Sequence, residues 1–476
     1  MTLTTILIFG VAILFYRLIF QSKARDMVLL VVSAIAVYWL QPAMSVRNLD
    51  FWLPTATLAL VVLSWIIATP PEGRTWRDNW PAFAALAGVV LLVALTRYLS
   101  LTGGIIIPSR PPQTEEVLLA LALLGLACWL LMRVKRTLPV LLVGGIVLLV
   151  GLLVVIKQPE LAQWASAALR SLVGQDASLA TSDDIRWLGY SYLAFRLIHT
   201  LRDRQTGRLP VVTLQEYVNY AIFFPAFTAG PIDRLERFVK ELRAGSLLTG
   251  EDFTEGGLRL VVGLFKKFVL ADSLAIFALS ATNAAQVRSA GWAWVLVLAY
   301  TFQIYFDFSG YTDIALGLAR WLGFRLPENF NHPYLKPNLT QFWNNWHMTL
   351  TQWVRAYYFN PLARAVRSAK KPLPAWLAVF IGQVSTMLVI GLWHGITWNF
   401  LIWGAWHGLG LFVHNRWSEL TRPLQATLEG HPRWKPIGTG ISTLFTFVYV
   451  ALGWVWFCLP TPALALQVFG KLFGVS

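Results

Sequence analysis

The chain has 476 residues, of which 56% are hydrophobic and 13% are charged, and its formal net charge is +15. Soluble domains carry about 25% charged residues, so the charge deficit and the long apolar runs predict a polytopic membrane protein. The positive charge suits anionic lipid headgroups and cytoplasmic loops, and with no aromatic RNA-binding pattern or zinc finger in the sequence, nucleic acid is excluded as a partner.

The first 157 residues are predicted to form about six membrane spans, since a span needs about 20 apolar residues. The first apolar run lacks the basic leader and cleavage site of a signal peptide, so we interpret it as the start of the first span. The predicted spans are 3–20, 27–40, 51–69, 81–98, 116–132 and 138–156.

Basic residues are unevenly distributed over the loops that join these spans. One alternating set of loops holds Lys23, Arg25, Arg74, Arg77, Arg133, Lys135 and Arg136, and the other holds Arg47, Arg97, Arg110 and Lys157. Cytoplasmic loops carry the excess of Lys and Arg, so this bias predicts that the first set is cytoplasmic and the N-terminus is outside.

Residues 158–185 are more polar and partly amphipathic, which indicates an interfacial stretch and a boundary between two domains. We predict an N-terminal transmembrane bundle with its interfacial linker over 1–180 and a catalytic core over 181–476. The bundle is interpreted as a scaffold or a docking region for partners, because no residue pattern in it indicates chemistry.

The C-terminal part contains apolar segments that Pro, Gly and charged residues interrupt. Residues 217–231 hold Pro225, Gly230 and Pro231, which break a helical hydrogen-bond ladder, so this segment is predicted to be re-entrant. Residues 232–243 alternate apolar and charged faces as an interfacial amphipathic helix does. Further spans are predicted at 290–308, 376–392, 395–413 and 438–459, with a last apolar segment at 462–474.

Lys266 and Lys267 interrupt the apolar run 258–271. Two interpretations are open: their stems reach along apolar surface to place the charges in water, or the two lysines bind a phosphorylated donor. The whole chain is therefore expected to be an all-α polytopic membrane protein with about 11–13 transmembrane helices plus re-entrant and interfacial helices.

Three of the seven histidines fall in one polar and aromatic region, and an ionisable group at membrane depth is functional by default. His347 lies in Phe342–Leu350, which also holds Asn344 and Asn345, and His394 lies in Gly391–Asn399. On one continuous helix His407 would lie about 20 Å further along and about 220° around from His394, so the two cannot share a reaction centre. We interpret His407 as a packed, hydrogen-bonded residue, and His199 and His431 as exposed.

Other kinds of chemistry fit the sequence poorly. No two histidines have the i, i+4 spacing of a zinc helix, so no metal site is expected. Ser309 in Asp-Phe-Ser-Gly is not in a nucleophile elbow, and Cys128 and Cys458 lie in apolar runs as small buried residues do. Proton transfer by histidine remains the chemistry that these residues support.

These segments together resemble the membrane-bound O-acyltransferase (MBOAT) family, in particular its bacterial branch of alginate O-acetylation and teichoic-acid D-alanyl transfer proteins. The matching stretches run in the family's order over about residues 190–415: Phe224–Pro225, Ala229–Ile232, Lys266–Lys267, Gln303–Tyr311, Pro327–Phe330, Phe342–His347 and Leu392–Gly395. One departure is that Asn344 and Asn345 stand where the family has two basic residues.

The resemblance implies that His394 is the catalytic histidine and His347 the second active-site histidine, both facing a tunnel across the membrane. A cytosolic thioester, either acyl-CoA or an acyl-carrier, would reach one mouth and an acceptor hydroxyl the other. No permanently bound cofactor is expected. The supporting or substrate-binding candidates are Asn344, Asn345, Asp307, Ser309, Tyr311, Trp393 and Asn399, with Lys266 and Lys267 as donor-binding candidates.

We therefore predict a multi-pass O-acyltransferase of the inner (cytoplasmic) membrane that transfers an acyl group, with acetyl favoured, to an extracytoplasmic polysaccharide or cell-envelope glycan. Membrane lipid, the cytosolic donor and an extracytoplasmic acyltransferase are the expected partners. The alternatives are D-alanyl transfer from a carrier protein to teichoic acid, a transporter or flippase, and an inactive scaffold. Broken helices with polar residues at mid-membrane suit a transporter too, although no inverted repeat is visible.

Overall fold

The computed structural model describes residues 2–18, 24–99, 105–134, 139–245, 247–371, 373–423 and 434–475. Within these ranges the chain forms α-helices, short 3-10 turns and two π-helical turns, Phe265–Ala271 and Arg355–Phe359, and no β-strand. His431 and the loop residues Lys23, Lys135 and Arg136 lie outside the described residues.

The helices are numbered here in chain order. They are α1 Leu3–Leu18, α2 Arg25–Leu40, α3 Leu49–Ala68, α4 Trp76–Leu95, α5 Thr114–Met132, α6 Pro139–Lys157, α7 Pro159–Leu172, α8 Tyr190–Gln205, α9 Leu214–Ala221, α10 Leu235–Ala244, α11 Gly250–Leu264, α12 Asp272–Ala275, α13 Ala281–Gln286, α14 Ala290–Leu322, α15 Leu339–Asn345, α16 Met348–Val354, α17 Asn360–Arg367, α18 Ala375–His394, α19 Trp398–Leu420, α20 Trp434–Cys458 and α21 Pro462–Leu472.

Six helices in the described part of the chain are long and apolar enough to cross a membrane: α3, α4, α5, α6, α18 and α20. Each of the six spans predicted for the first 157 residues overlaps one helix from α1 to α6. The prediction of an all-α polytopic membrane protein is confirmed, and the total of about 11–13 spans stays a prediction.

The chain divides into two compact units. Unit 1 comprises Met1–Leu258 and Ala315–Leu326, and unit 2 comprises Arg259–Ile314 and Pro327–Ser476. The division passes through α11 and α14. This division reflects how the helices pack. The predicted boundary near residue 180 separates a scaffold from a catalytic core, so it stays a prediction.

In unit 1, the segment predicted to be re-entrant is broken as expected. Helix α9 ends at Ala221, and a single 3-10 turn, Phe224–Ala226, follows. The Arg196 side chain is 2% exposed and donates to the carbonyl oxygens of Ala221, at 2.9 Å, and Ala226, at 2.7 Å. Irregular backbone survives at membrane depth only when protein satisfies its polar groups, and Arg196 does so here.

The prediction that His199 is exposed is wrong. His199 is 1% exposed on α8, and its Nδ1 lies 3.2 Å from the Tyr220 hydroxyl. Its Nε2 accepts from the backbone N–H of Leu235 at 3.5 Å. The charged residues Arg202 and Asp203, which follow it, suggested a solvated loop, but α8 continues to Gln205 and turns His199 inward.

The polar stretch after α6 contains an amphipathic helix, α7, fixed by one buried carboxylate. Asp184 Oδ2 accepts from Ser166 Oγ at 2.6 Å and pairs with Arg170 at 2.9 Å, and Thr181 Oγ1 donates to Oδ1 at 2.8 Å. Burial raises the pKa of Asp184, but these donors outweigh it and hold the pKa well below its usual range. The predicted amphipathic helix at 232–243 is also confirmed, as α10 buries Leu235, Phe238, Val239 and Leu242.

In unit 2, two features position the residues of interest. Helix α14 begins at Ala290, but it continues past the predicted end at residue 308 to Leu322. Helices α18 and α19 form a tight hairpin in which small residues let the backbones approach. A Cβ on Gly404 would lie 2.6 Å from the Met387 carbonyl oxygen, and one on Gly408 would lie 2.7 Å from the Val384 Cα.

Candidate active site

His394 is the last residue of α18, and Gly395 ends the helix in an extended conformation before α19 begins at Trp398. The imidazole is surrounded by aromatic rings. The His394 ring centroid lies 4.6 Å from that of Trp393, 4.8 Å from Phe457 and 5.6 Å from Trp403. The predicted spans 376–392 and 395–413 therefore correspond to two helices, with His394 at the break between them.

His347 lies between two short helices, α15 and α16. Its backbone is left-handed, with φ 44°, a conformation that is uncommon for a residue with a Cβ. The side chain is 3% exposed, and its ring centroid lies 4.7 Å from Phe308 and 6.2 Å from Trp393. Trp393 therefore has a ring contact with both histidines.

Both histidines line one small cavity, named here the histidine cavity. Its volume is about 70 Å³, and its other walls are Ile304, Phe308, Trp343, Trp346, Leu350, Thr351, Ile390, Trp403, Trp454 and Phe457. A water molecule takes up about 30 Å³ in the liquid, so this cavity is large enough for a small reacting group and little solvent. The apolar walls make a site in which electrostatic interactions are strong.

A second, polar pocket has a volume of about 470 Å³. Several of its wall residues are direct sequence neighbours of residues that line the histidine cavity. Tyr305, Ser309 and Met348 line the polar pocket, while Ile304, Phe308 and His347 line the histidine cavity. Ser309 and Thr312 are 3% and 2% exposed, and neither hydroxyl has a hydrogen-bond partner among the described residues. Buried hydroxyls of this kind are available to a ligand.

The charges of the polar pocket balance one another. Asp313 accepts from Arg259 Nη1 and from Lys266 Nζ, each at 2.7 Å, and Arg259 also pairs with Glu328. Lys266 therefore lies at a ligand-sized pocket, as its donor-binding interpretation requires. Lys267 does not line this pocket and pairs with Asp307.

The remaining predicted residues lie outside the histidine cavity. Asn345 Nδ2 donates to the Gln341 carbonyl oxygen at 2.8 Å, and Asn399 Nδ2 donates to the Leu459 carbonyl oxygen at 2.6 Å. Tyr311 is 8% exposed and lines neither the histidine cavity nor the polar pocket. These side chains support the packing of the helices, and the prediction that they take part in the site stays a prediction.

Asn344 lines a third cavity, of about 150 Å³, which shares Trp343, Thr351 and Ile390 with the histidine cavity. Its Oδ1 accepts from Arg355 Nη2 at 2.7 Å. A basic residue therefore stands next to Asn344 in space, although the sequence has no basic residue in the two positions before Trp346.

Asn329, which is not among the predicted site residues, is buried and anchors the backbone next to His347. It is 0% exposed; its carbonyl oxygen accepts from the Met348 N–H at 2.9 Å, and its Oδ1 accepts from Thr349 Oγ1 at 2.6 Å. These bonds fix the start of α16, and so the backbone of His347. The sequence feature that could have pointed to Asn329 is its position in the turn-forming segment Pro327–Tyr334.

His407 is buried, as predicted, and it does not line the histidine cavity. Its ring centroid lies 5.0 Å from those of Trp343 and Trp403. The predicted hydrogen bond is absent among the described residues, where neither ring nitrogen has a partner. In the same part of the chain no group of three or more His, Cys, Asp or Glu side chains is arranged to hold a metal ion.

Comparison with known proteins identifies the family of the chain. The model of the membrane-bound O-acyltransferase family, MBOAT, matches residues 17–454. The chain belongs to the MBOAT family. With six helices that can span a membrane, this MBOAT protein is a multi-pass membrane protein.

Several curated relatives of this MBOAT protein are enzymes by name. A probable alginate O-acetylase of Pseudomonas putida is 35% identical over 60% of the chain and 55% of the relative. A peptidoglycan O-acetyltransferase of Helicobacter pylori is 31% identical over 63% of the chain and 56% of the relative. A teichoic acid D-alanyltransferase of Streptococcus thermophilus is 32% identical over 50% of the chain and 59% of the relative. The chain spans little more than half the length of these relatives.

Proposed function

We propose that this MBOAT protein is an O-acyltransferase of the inner membrane. It transfers an acyl group, with acetyl favoured, from a cytosolic thioester to a hydroxyl of an extracytoplasmic polysaccharide or cell-envelope glycan. The observation that carries the proposal is the pair His394 and His347 in one aromatic-walled cavity. The family and the names of the O-acetylating relatives support the same reaction class.

In this proposal His394 is the general base. It takes the proton of the acceptor hydroxyl as the oxygen attacks the thioester carbonyl carbon, and a tetrahedral oxyanion forms. The carbon–sulfur bond then breaks, the ester remains on the acceptor, and the thiolate leaves and receives a proton from the His394 imidazolium. A base of this kind contributes about 10²–10⁴-fold to the rate.

His347 assists as a hydrogen-bond donor to the oxyanion or as a second proton carrier. A preorganised donor in a site without bulk water stabilises developing charge far better than water does. The fixed backbone of His347 and the ring contacts with Phe308 and Trp393 supply that preorganisation. Direct transfer to the hydroxyl needs no cysteine or serine nucleophile on the protein.

The thioester donor is acyl-CoA or an acyl-carrier, and we propose that its polar part enters the polar pocket. The Ser309 and Thr312 hydroxyls, which have no partner among the described residues, supply hydrogen bonds there. Arg259 and Lys266 line the same pocket and would contact the donor from within their ion pairs with Asp313 and Glu328. A membrane lipid environment and an extracytoplasmic acyltransferase complete the proposed set of partners.

D-alanyl transfer is the second candidate, because the D-alanyltransferase of Streptococcus thermophilus matches half of the chain. The chemistry at the two histidines would be the same. The donor would be a D-alanyl thioester on a small carrier protein, and the acceptor a teichoic acid. The mass of the ester group on the envelope glycan separates the two candidates.

The test is the ester content of envelope glycans in a deletion strain complemented with wild type, His394→Ala or His347→Ala at matched protein levels. We expect His394→Ala to abolish one specific ester, whose mass identifies the acyl group. The control is His414→Gln, a partly exposed histidine that does not line the cavity and should retain the ester. Full acylation with His394→Ala would remove the proposed base and favour a transporter or a scaffold.

A further inference from the structure

A cavity that the proposed reaction does not use lies in unit 1. It has a volume of about 640 Å³ and is formed by α3, α4 and α5. We name it the apolar cavity. Leu58 and Val62 of α3, Phe83 of α4, and Leu124 and Cys128 of α5 are among the residues that line it. Its volume is that of an ordinary ligand site, about 300–1,000 Å³.

Away from the end that Trp76, Trp129 and Arg133 line, the walls of the apolar cavity offer no unsatisfied hydroxyl to water. Its one hydroxyl-bearing wall residue, Thr55, already bonds the Tyr38 hydroxyl at 2.7 Å and the Phe51 carbonyl oxygen at 2.9 Å. Apolar cavities without free polar groups stay dry and take up hydrocarbon. In a membrane the available hydrocarbon is a lipid chain.

The cavity is elongated along the helix axis. Along α5 and the residue that follows it, the cavity extends from Leu121 to Arg133. At 1.5 Å per residue this is about 18 Å, slightly more than half of the about 30 Å hydrocarbon core. Only 11% of the apolar stretch of α5 is buried inside the protein, so this helix borders the lipid. A helix is about 10–12 Å wide and would fill 640 Å³ with fewer than two turns, so the shape favours a flexible acyl chain.

One end of the cavity has the character of a membrane interface. Trp76, Trp129 and Arg133 line that end, and Trp76 and Trp129 are 63% and 52% exposed. Tryptophans concentrate at the level of the lipid headgroups. The Arg133 guanidinium carbon lies 4.5 Å from the Trp129 ring centroid, and Arg133 forms no ion pair with a described residue.

Charge at this end is positive on balance. The described segments that border the mouth, 72–78 and 133–134, contain three basic residues, Arg74, Arg77 and Arg133, against two acidic ones, Glu72 and Asp78. Arg74 donates to the carbonyl oxygens of Thr69, at 2.7 Å, and Val134, at 3.3 Å. It therefore fixes the end of α5 at the mouth and leaves Arg133 to meet a ligand.

From this apolar cavity and its basic, tryptophan-lined mouth, we propose that α3, α4 and α5 bind one acyl chain of an anionic glycerophospholipid. The chain lies between the helices, and the headgroup phosphate meets Arg133. This site is independent of the proposed reaction, because the proposed acyl transfer uses none of its residues. The lipid is a bound structural ligand of unit 1.

Native mass spectrometry of the full chain in detergent, with equal amounts of dioleoyl phosphatidylglycerol and dioleoyl phosphatidylcholine, tests the proposal. Wild type should retain phosphatidylglycerol preferentially. Arg133→Gln should lower that retention about fivefold, since a basic residue near the surface contributes about 1 kcal/mol, and should leave phosphatidylcholine retention unchanged. Arg110→Gln, an exposed arginine before the other end of α5, is the matched control and should change neither.

A cavity-filling variant tests the acyl chain itself. Gly125 lines the cavity, and a Cβ there meets no atom within 4 Å, so Gly125→Leu fits sterically and occupies the space of the chain. We expect loss of both lipids with unchanged thermal stability. Gly144→Leu, on α6 with equally open space, should retain them. Equal retention of the two lipids by wild type, or full retention by Gly125→Leu, would overturn the proposal.

Discussion

At the scale of single residues, His347 has a backbone conformation that costs free energy. Its φ of 44° is in the left-handed region, where a residue with a Cβ is disfavoured by roughly 1–2 kcal/mol. Such conformations persist where the surrounding structure imposes them, and they cluster at functional sites. Here the imposing contacts come from Asn329, which accepts hydrogen bonds from Met348 and Thr349.

Asn329→Ala should therefore displace His347, although Asn329 itself does not line the histidine cavity. The variant removes the Oδ1 acceptor of Thr349, and the unsatisfied buried groups should cost about 1–3 kcal/mol of stability. Acyl transfer should fall, and adding His347→Ala to Asn329→Ala should cause little further loss, because the two residues act as a unit. Rates of the four proteins of this double-mutant cycle measure the coupling.

Asn331→Ala is the matched control for stability, because Asn331 is an exposed asparagine in the same loop. It should unfold at the wild-type temperature. If the losses from Asn329→Ala and His347→Ala were instead additive, Asn329 would stabilise the fold without positioning His347.

The sequence could predict the two histidines but not all of their neighbours. A histidine at membrane depth is rare enough to be informative, and both His347 and His394 line the cavity. Asn345 was chosen because it is close to His347 in sequence, yet its amide is turned back onto the Gln341 carbonyl oxygen. The direction of a side chain depends on local backbone angles, which a periodicity argument does not contain.

At the scale of helices, the span predicted from the sequence was shorter than the α14 of the structure. Asp307 and Asp313 suggested that the span ends near residue 308, but they pair with Lys267 and with Lys266 and Arg259. These partners are distant in sequence, so hydropathy could not show that the acids are neutralised. The helix continues, and its middle carries Phe308 to the histidine cavity and Ser309 to the polar pocket.

The close approach of α14 to the π-helical turn after α11 depends on Gly310. A Cβ there would lie 2.8 Å from the Lys267 backbone nitrogen and 2.9 Å from the Gly263 carbonyl oxygen. Gly310→Ala should force these backbones apart, cost about 1–3 kcal/mol, and lower transfer because the two pockets share this stretch of α14. Gly291→Ala, on the same helix with no atom within 4 Å, is the control and should not destabilise.

Thermal unfolding of the purified variants in one detergent measures the difference between Gly310→Ala and Gly291→Ala. A Gly to Ala change in a helix gains up to about 1 kcal/mol from helix propensity, so the control should be neutral or stabilised. Equal unfolding temperatures for the two variants would show that the α14 contact tolerates a methyl group.

At the scale of the whole molecule, the orientation in the membrane decides which loops meet the cytosol. The loops of the first set carry seven basic residues, and those of the alternate set carry four. The positive-inside rule therefore predicts that Arg77 is cytoplasmic and Arg110 is extracytoplasmic. Both side chains are exposed, so each position can be labelled.

Cysteine accessibility tests this orientation directly, because the chain has two cysteines, Cys128 and Cys458, which can be replaced by Ala. In that background, Arg110→Cys should react with a membrane-impermeant maleimide in intact spheroplasts. Arg77→Cys should react only after the membrane is permeabilised. The reverse pattern would place Arg77 outside. The mouth of the apolar cavity would then face the outer leaflet, so Arg133 would have to draw its anionic lipid from there.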